Sequence, residues 1–398
     1  MKSFVGLMLL MSSLSASAGA WKVLPKGVRI VGIRNVSTGT IDKNFNQSGQ
    51  ESSLGASFRI DASTFNAMTG NLIVPGKDID QTAYNNFVLG EYKVDADAQF
   101  NVNGLGFGYG ITDRVMFYAE IAHYQARIRA RMKRTSGNTI ESTARLLDSD
   151  PVLAENVRQM VDADEGTIQS VITNYYGYKP VGDWYGTGYG DMETGVMMKL
   201  LDYGITGLTF YPGVVLPTGT QDDPDILQDQ GFGDGQFDVF GEMATGYVLN
   251  DKVTFGSFLR LTYQAPTTKN LRIPEERDFQ LSDRKGDFRV KYGNKLNFTL
   301  NSTLTVNDWV SFTPVYRFMV QERAQYNSNY GAADDYLAYR SERLEHQAQL
   351  TTTFSSITPF LKKQFLLPAQ VNVNLVKTMY GNNVPAQERF EVEFRMLF

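Results

Sequence analysis

The last ten residues constrain the fold most. Phe390, Val392, Phe394, Met396 and Phe398 alternate with Arg389, Glu391, Glu393 and Arg395. An extended strand sends successive side chains to opposite faces, so one face is aromatic and apolar while the other carries full charges. Such a strand needs two environments, one on each side of a single sheet. The same pattern recurs upstream. Val310, Phe312, Tyr316 and Phe318 fall opposite Ser311, Thr313 and Arg317. In 288–300, Phe288, Val290, Tyr292, Leu296, Phe298 and Leu300 fall opposite Arg289, Lys291, Lys295, Asn297 and Thr299.

Extended runs of this kind are expected at 27–40, 88–110, 114–131, 190–202, 205–216, 235–249, 252–265, 285–303, 309–325, 341–356, 365–379 and 386–398, twelve in all. Connectors alternate between tight turns, such as Asn250-Asp251 and Asn307-Asp308, and long polar loops, such as 217–234, 266–284 and 326–340. A weak repeat marks the tight turns: GYGITDRVMF (108–117), GYVLNDKVTF (246–255) and LTVNDWVSF (304–312). Asp is expected to bond its own backbone in these turns. Residues 41–87 read as a long loop. The insert at 132–188 breaks the strand pattern with helical spacing at 140–147, 151–161 and 167–173. Its Asp150-Pro151 pair suits a helix start, a cap followed by proline in the first turn.

Composition narrows the setting. The chain has 398 residues, no cysteine, 36 glycines and a formal charge of -5. Disulfide scaffolds and thiolate zinc sites are excluded. The weak negative charge argues against a nucleic-acid partner. No run after residue 20 approaches the apolar length of a membrane helix. The first twenty residues, MKSFVGLMLLMSSLSASAGA, have the basic start, apolar centre and small-residue end of an export signal. The expected organisation is a signal peptide over 1–20 and a barrel over 21–398, interrupted by the helical insert.

Strand length decides between a soluble and a membrane barrel. The runs are about 12–20 residues, against the usual 5–6. A tilted strand needs about 9–11 residues to cross hydrocarbon. In lipid the sheet must close on itself, because no water satisfies an open edge. Short periplasmic turns, long outer loops and an even strand number are expected of such barrels. The fold class is therefore an all-β, closed antiparallel transmembrane β-barrel of about twelve strands with a small helical extracellular insert. Phe117, Tyr118, Phe210, Tyr211, Trp309 and Tyr326 are candidates for its aromatic girdles.

On these residues the chain resembles a Gram-negative outer-membrane β-barrel. The stripe from Phe390 through Val392, Phe394 and Met396 to Phe398 resembles the C-terminal assembly signature of that class. The resemblance implies the barrel assembly machinery and outer-membrane lipid as partners. The turns GYGITDRVMF and GYVLNDKVTF, with GLTFYPGVVLPTGTQDD at 207–223, resemble the phenol meta-pathway barrel family, related to hydrophobic-substrate channels of the fatty-acid transporter type. That resemblance spans most of the strand region but not 132–188, and it implies uptake. The chain departs from the fatty-acid transporters in lacking an Asn-Pro-Ala start and clear N-terminal hatch helices.

The candidate site is the charged inner face. Glu120, Arg260, Arg289, Lys291, Lys295, Arg317, Arg343, Glu345, Arg389, Glu391, Glu393 and Arg395 are expected to face the lumen. Two readings fit them: a wet pore for a small-molecule solute, or interior ion pairing that rigidifies a closed barrel. A channel or porin for small solutes, hydrophobic or aromatic among them, is one functional expectation. A structural or surface-interaction protein is the other. No catalytic residue, metal site or cofactor is expected. His123 and His346 are the only histidines, both on apolar faces. Ser341 stands five residues from His346, on the opposite face, unlike a lipid-facing serine–histidine pair. Asp222, Asp223 and Asp225 could offer oxygens to calcium but lack a calcium-loop spacing, and read as a solvated turn.

Overall fold

A computed structural model describes residues 21–69, 80–160, 162–277 and 281–398. The expected signal peptide and Val161 lie outside the described residues. Twelve antiparallel strands form the ring: β1 (Arg29–Thr38), β2 (Val88–Thr112), β3 (Val115–Ser136), β4 (Met192–Asp202), β5 (Thr206–Leu216), β6 (Asp238–Val248), β7 (Val253–Gln264), β8 (Lys295–Thr305), β9 (Val310–Gln321), β10 (Arg343–Ser355), β11 (Ala369–Asn382) and β12 (Glu388–Leu397). Each pairs with its neighbours in sequence. The first and last strands close the ring, from Ile30 opposite Leu397 to Thr38 opposite Arg389. Closure leaves no unpaired edge, which is the condition for a sheet in hydrocarbon.

The two faces of this ring are inverted relative to a soluble barrel. On β12, Glu391 is 0% exposed, whereas Phe390 and Phe394 are 46% and 43% exposed. Val239, Met243 and Tyr247 of β6, and Phe255, Leu259, Leu261 and Tyr263 of β7, continue the apolar outer belt. Large exposed apolar residues form a continuous band here, not scattered positions, and such a band needs a nonaqueous neighbour. Period two also sorts the expected aromatic girdles. Phe117 and Trp309 are exposed, while Tyr118 and Tyr211, each one residue from an outward phenylalanine, are buried in the lumen. Tyr326 belongs to a strand outside the ring, Gln325–Asn327.

Connector lengths alternate as expected except on either side of β11, where 356–368 is long at the short-turn end and 383–387 is short at the other. At the short end Asn250 Oδ1 accepts from the backbone N–H of Lys252 and Val253, and Asn307 Oδ1 accepts from those of Trp309 and Val310. In these two turns the asparagine, rather than the aspartate after it, closes the turn. The connector 356–368 carries a short helix, Ile357–Leu361, exposes Leu361, Leu366 and Leu367, and sets the Phe365 ring against Trp309. The expected continuous strand at 285–303 is two strands. Lys285–Lys291 pairs with Thr267–Arg272 and with Gln325–Asn327 outside the ring. β8 begins only at Lys295. Gly293 breaks the run at φ 87°, a conformation few other residues adopt, with Glu322 O packed where a Cβ would sit.

The long-loop end is a packed lobe. Helices α1 (Ile140–Leu146), α2 (Pro151–Arg158) and α3 (Glu165–Ser170) fall inside the expected insert. Asp150 caps α2 by accepting from Leu153 N–H, with Pro151 in its first turn. Ile140, Ala144, Leu147, Leu153 and Val157 do not pack only on each other. They join Phe87 and Tyr92 at the start of β2, together with Ile60, Ala83, Leu227 and Leu281 from other connectors. The segment 41–87 is thus more than a loop. It supplies the helices Ala62–Thr69 and Gln81–Asn86 to this core.

Candidate functional site

The lumen holds three layers. At the short-turn end the chain before β1 folds back inside the barrel. Trp21 is 0% exposed, and its backbone carbonyl accepts from Thr209 Oγ1 at 2.7 Å. Its ring lies against Gly207 and Gly246, where an added Cβ would come within 2.1 and 2.4 Å of ring carbons. Only glycine leaves room for the indole at both places. Val23 and Leu24 follow it into an apolar cluster of Met116, Tyr118, Met197, Tyr211, Phe240 and Phe258. Lys26 N–H, bound to Asp113 at 3.0 Å, fixes where this segment leaves the barrel.

At the opposite end the connector 217–237 turns inward. Phe232 stacks on Tyr124 of β3, with ring centres 5.4 Å apart. Asp191, just before β4, accepts from the N–H groups of Gly219 and Asp234 at 2.8 and 2.9 Å. Gln264 of β7 donates to Asp234 and Asp238. A glutamine network so joined specifies one position for the inward loop, because each displaced group would be left unpaired.

Between these plugs lies the charged layer. Glu391 receives Arg34, Arg389 at 2.7 Å and the Asn374 amide at 2.9 Å. Glu393 receives Arg395 at 2.9 Å and the Asn372 amide at 3.0 Å. Across the lumen Arg260 grips Glu193 through both terminal nitrogens, at 3.0 and 2.7 Å, and covers the Phe240 ring at 3.6 Å. Tyr118 also donates to Glu193. Planar, two-point Arg–carboxylate pairing fixes the orientation of both side chains. Lys295 is buried under the electrostatic influence of Asp234 and Asp238. Glu345 accepts from Gln347 and Thr378.

Ten of the twelve expected lumen residues are on inward-facing positions of ring strands: Glu120, Arg260, Lys295, Arg317, Arg343, Glu345, Arg389, Glu391, Glu393 and Arg395. Arg289 and Lys291 are corrected to the lobe. They sit on the separate strand Lys285–Lys291, where Phe288 and Val290 point into a lobe core and Arg289 points to water. Arg34, Glu193, Glu242 and Trp21 complete the interior and were not singled out from the sequence. Arg34 shares the inward phase of β1 with Ile30 and Val36, whereas Arg29 and Asn35 face outward, so alternation in β1 carries no signal that marks it. Phe390, Val392, Phe394, Met396 and Phe398 all take the outward phase of β12.

The remaining candidates have ordinary partners. His346 shares a 2.6 Å hydrogen bond with the Tyr316 hydroxyl on the outer face, and Ser341 Oγ donates to Ala338 O in the lobe. The acids of the 217–237 loop meet cations: Asp222 faces Lys269, Asp223 faces Lys179, and Asp225 faces Arg272 at 2.6 Å and Lys285 at 2.8 Å. Burial raises the Asp225 carboxyl, but Lys285 and Arg272 outweigh it and hold the group below its usual value. The cluster fastens three connectors together.

Among solved structures the chain is similar to an outer-membrane channel from Pseudomonas putida F1. The likeness covers 96% of this chain and 99% of that one, at 14% identity and a TM-score of 0.53. The Ralstonia pickettii toluene transporter TbuX aligns over 96% of this chain and 92% of that one, at 8% identity and a TM-score of 0.36. The CymD monoaromatic hydrocarbon channel aligns over 96% and 94%, at 7% identity and a TM-score of 0.35. No family model and no curated protein sequence matches the chain. The first of these structures shares the overall fold described above.

Proposed function

We propose that the protein is a passive channel of the Gram-negative outer membrane for small solutes. The observation that carries this reading is the charged layer inside an apolar-belted ring. Charges in a sealed apolar interior cost several kcal/mol each unless paired and hydrated. A water-filled lumen removes much of that cost and presents a selective wall to solutes. Glu120, Arg317, Arg343 and Glu345 are only partly buried, as a wet middle layer requires.

In this reading the tight turns and both chain ends face the periplasm, and the helical insert is extracellular. The lobe partly covers the mouth, the inward loop 217–237 narrows it, and the Trp21–Pro25 segment is the lower constriction. The apolar cluster on Tyr211, Phe240 and Phe258 suits solutes with an aromatic or hydrophobic body, in line with the resemblance to the phenol meta-pathway barrels. Partners are outer-membrane lipid and the barrel assembly machinery.

A second reading has specific support. Trp21 is fully enclosed, and much of the inner charge is paired, as in a closed barrel that carries its lobe as an interaction surface. Single-channel recording of the refolded protein in planar bilayers separates the two. A channel gives discrete conductance that increases when the Trp21–Pro25 segment is removed. A barrel that stays silent in both forms, and admits no solute in liposome swelling, is structural.

A further inference from the structure

Most inner arginines are matched to carboxylates, and Arg317 is not. Among the described residues no carboxylate lies within ion-pair distance of it. Its Nε is shielded from solvent and has no acceptor. The charged groups that act on it are Arg389, Glu391, Arg34 and Glu345. Glu391 is drawn to Arg34, Arg389 and Asn374 and lies beyond ion-pair distance of the Arg317 guanidinium. Glu345 accepts from Gln347 and Thr378, both on Oε1, and also lies beyond that distance.

A second donor beside it is also idle. Asn297 Nδ2 is shielded and has no acceptor. Asn297 is opposite Met319, and Thr299 is opposite Arg317. On the inner face of β8 and β9 the guanidinium, the amide and the Thr299 hydroxyl are therefore direct or diagonal neighbours. Such neighbours lie about 5–8 Å apart, close enough to converge on one small group. Native interiors leave few polar groups unpaired, and each such group needs an explanation. On β8 and β9 the unpaired groups are donors, and the unpaired acceptor on the adjacent strand, Gln349 Oε1 opposite Val315, makes no hydrogen bond to the guanidinium. The flanking inward residues of β9 are apolar, Val315 on one side and Met319 on the other.

We propose that Arg317, Asn297 and Thr299 form an anion subsite in the lumen, and that its ligand is a small carboxylate with an aromatic or apolar body. A guanidinium takes the two carboxylate oxygens in its plane, the amide or hydroxyl adds a further hydrogen bond, and Val315 and Met319 contact the body. The subsite deepens the channel reading above and rests on it for the ligand's route in and out.

The test is calorimetric titration of the refolded full chain in detergent with benzoate, and with benzyl alcohol as a neutral probe of similar shape. Benzoate binds saturably and at least tenfold more tightly than benzyl alcohol. Arg317→Gln weakens benzoate at least tenfold without altering benzyl alcohol, Arg317→Lys restores part of the loss, and Asn297→Ala weakens benzoate severalfold. Heat-modifiable migration verifies that each variant is folded, and Asn297→Ala carries the test if Arg317→Gln does not fold. Equal affinity for the two probes, no saturable benzoate binding, or binding unchanged in the folded variants overturns the subsite. Binding and current are independent readouts. A silent barrel that binds benzoate refutes the channel alone, and a conducting barrel without the site refutes the subsite alone.

Discussion

β12 and the lobe strand Lys285–Lys291 have the same alternating pattern and opposite polarity. In β12 the charges are inside, with Glu391 enclosed and Phe390 and Phe394 exposed. In the lobe strand Phe288 and Val290 are 0% exposed, and Arg289 faces water. Alternation therefore fixes which residues share a face, but not which face is wet. The partner strands decide that. β12 lies between β1 and β11 in a closed ring that carries an apolar belt on its outer face. The lobe strand lies in a three-stranded sheet with Leu337 and Ala333 of a short helix covering one side.

The widest separation between these regions is expected from their charges. Glu391→Leu leaves Arg34 and Arg389 without their shared carboxylate in the lumen. Breaking such a buried set costs about 3–5 kcal/mol. Arg289→Leu, on an exposed face, is expected to change stability by less than about 0.5 kcal/mol. Denaturant unfolding in detergent, followed by heat-modifiable migration, measures both. Equal effects would erase the distinction.

Truncating the apolar phase reverses the ranking. Phe288→Ala empties the lobe core at a cost of about 3 kcal/mol. The loss is confined to the lobe, so limited proteolysis cuts the 266–340 loops while the ring resists. Phe390→Ala on the outer face is expected to leave both patterns unchanged. For assembly the outer stripe matters more than for stability. Phe398→Ser is expected to reduce the ratio of folded barrel to periplasmic aggregate severalfold without changing export. An unchanged ratio would make the stripe ordinary lipid-facing surface.

The smallest effect concerns pH at the lobe. Hydrogen bonds from the Arg134 guanidinium and then the Asn138 amide hold the Asp162 carboxyl down at about 2. A carboxyl depressed in the folded state stabilises it above the unfolded value, roughly 3.9, and that contribution fades as pH falls through about 2. Proteolytic resistance of the insert is expected to decline between those values in the native chain. In Asp162→Asn the decline over that window is expected to be shallower.

What was legible follows from period two. Ring strands, their faces and the tight turns could be read because alternation and turn chemistry are local. The break at Tyr292–Asn294 could not, because Phe288, Val290, Leu296 and Phe298 keep one parity across it, and Gly293 alone marks the change. Arg289 and Lys291 were misplaced for that reason. Trp21 was silent because its sites, Gly207 and Gly246, are distant in sequence and meet only when β5 pairs with β6. The unmatched state of Arg317 was equally hidden. It depends on where other side chains hold Glu391 and Glu345.

The central claim is that the ring faces lipid outside and water inside. Adjacent residues of β9 test it most directly, since Phe318 faces outward and Met319 inward. The chain has no cysteine, so Phe318→Cys and Met319→Cys each accept a single spin label. In reconstituted bilayers the label at 318 is predicted to collide mainly with dissolved oxygen, and the label at 319 with a water-soluble nickel chelate. The opposite assignment, or two labels with the same preference, would contradict the account.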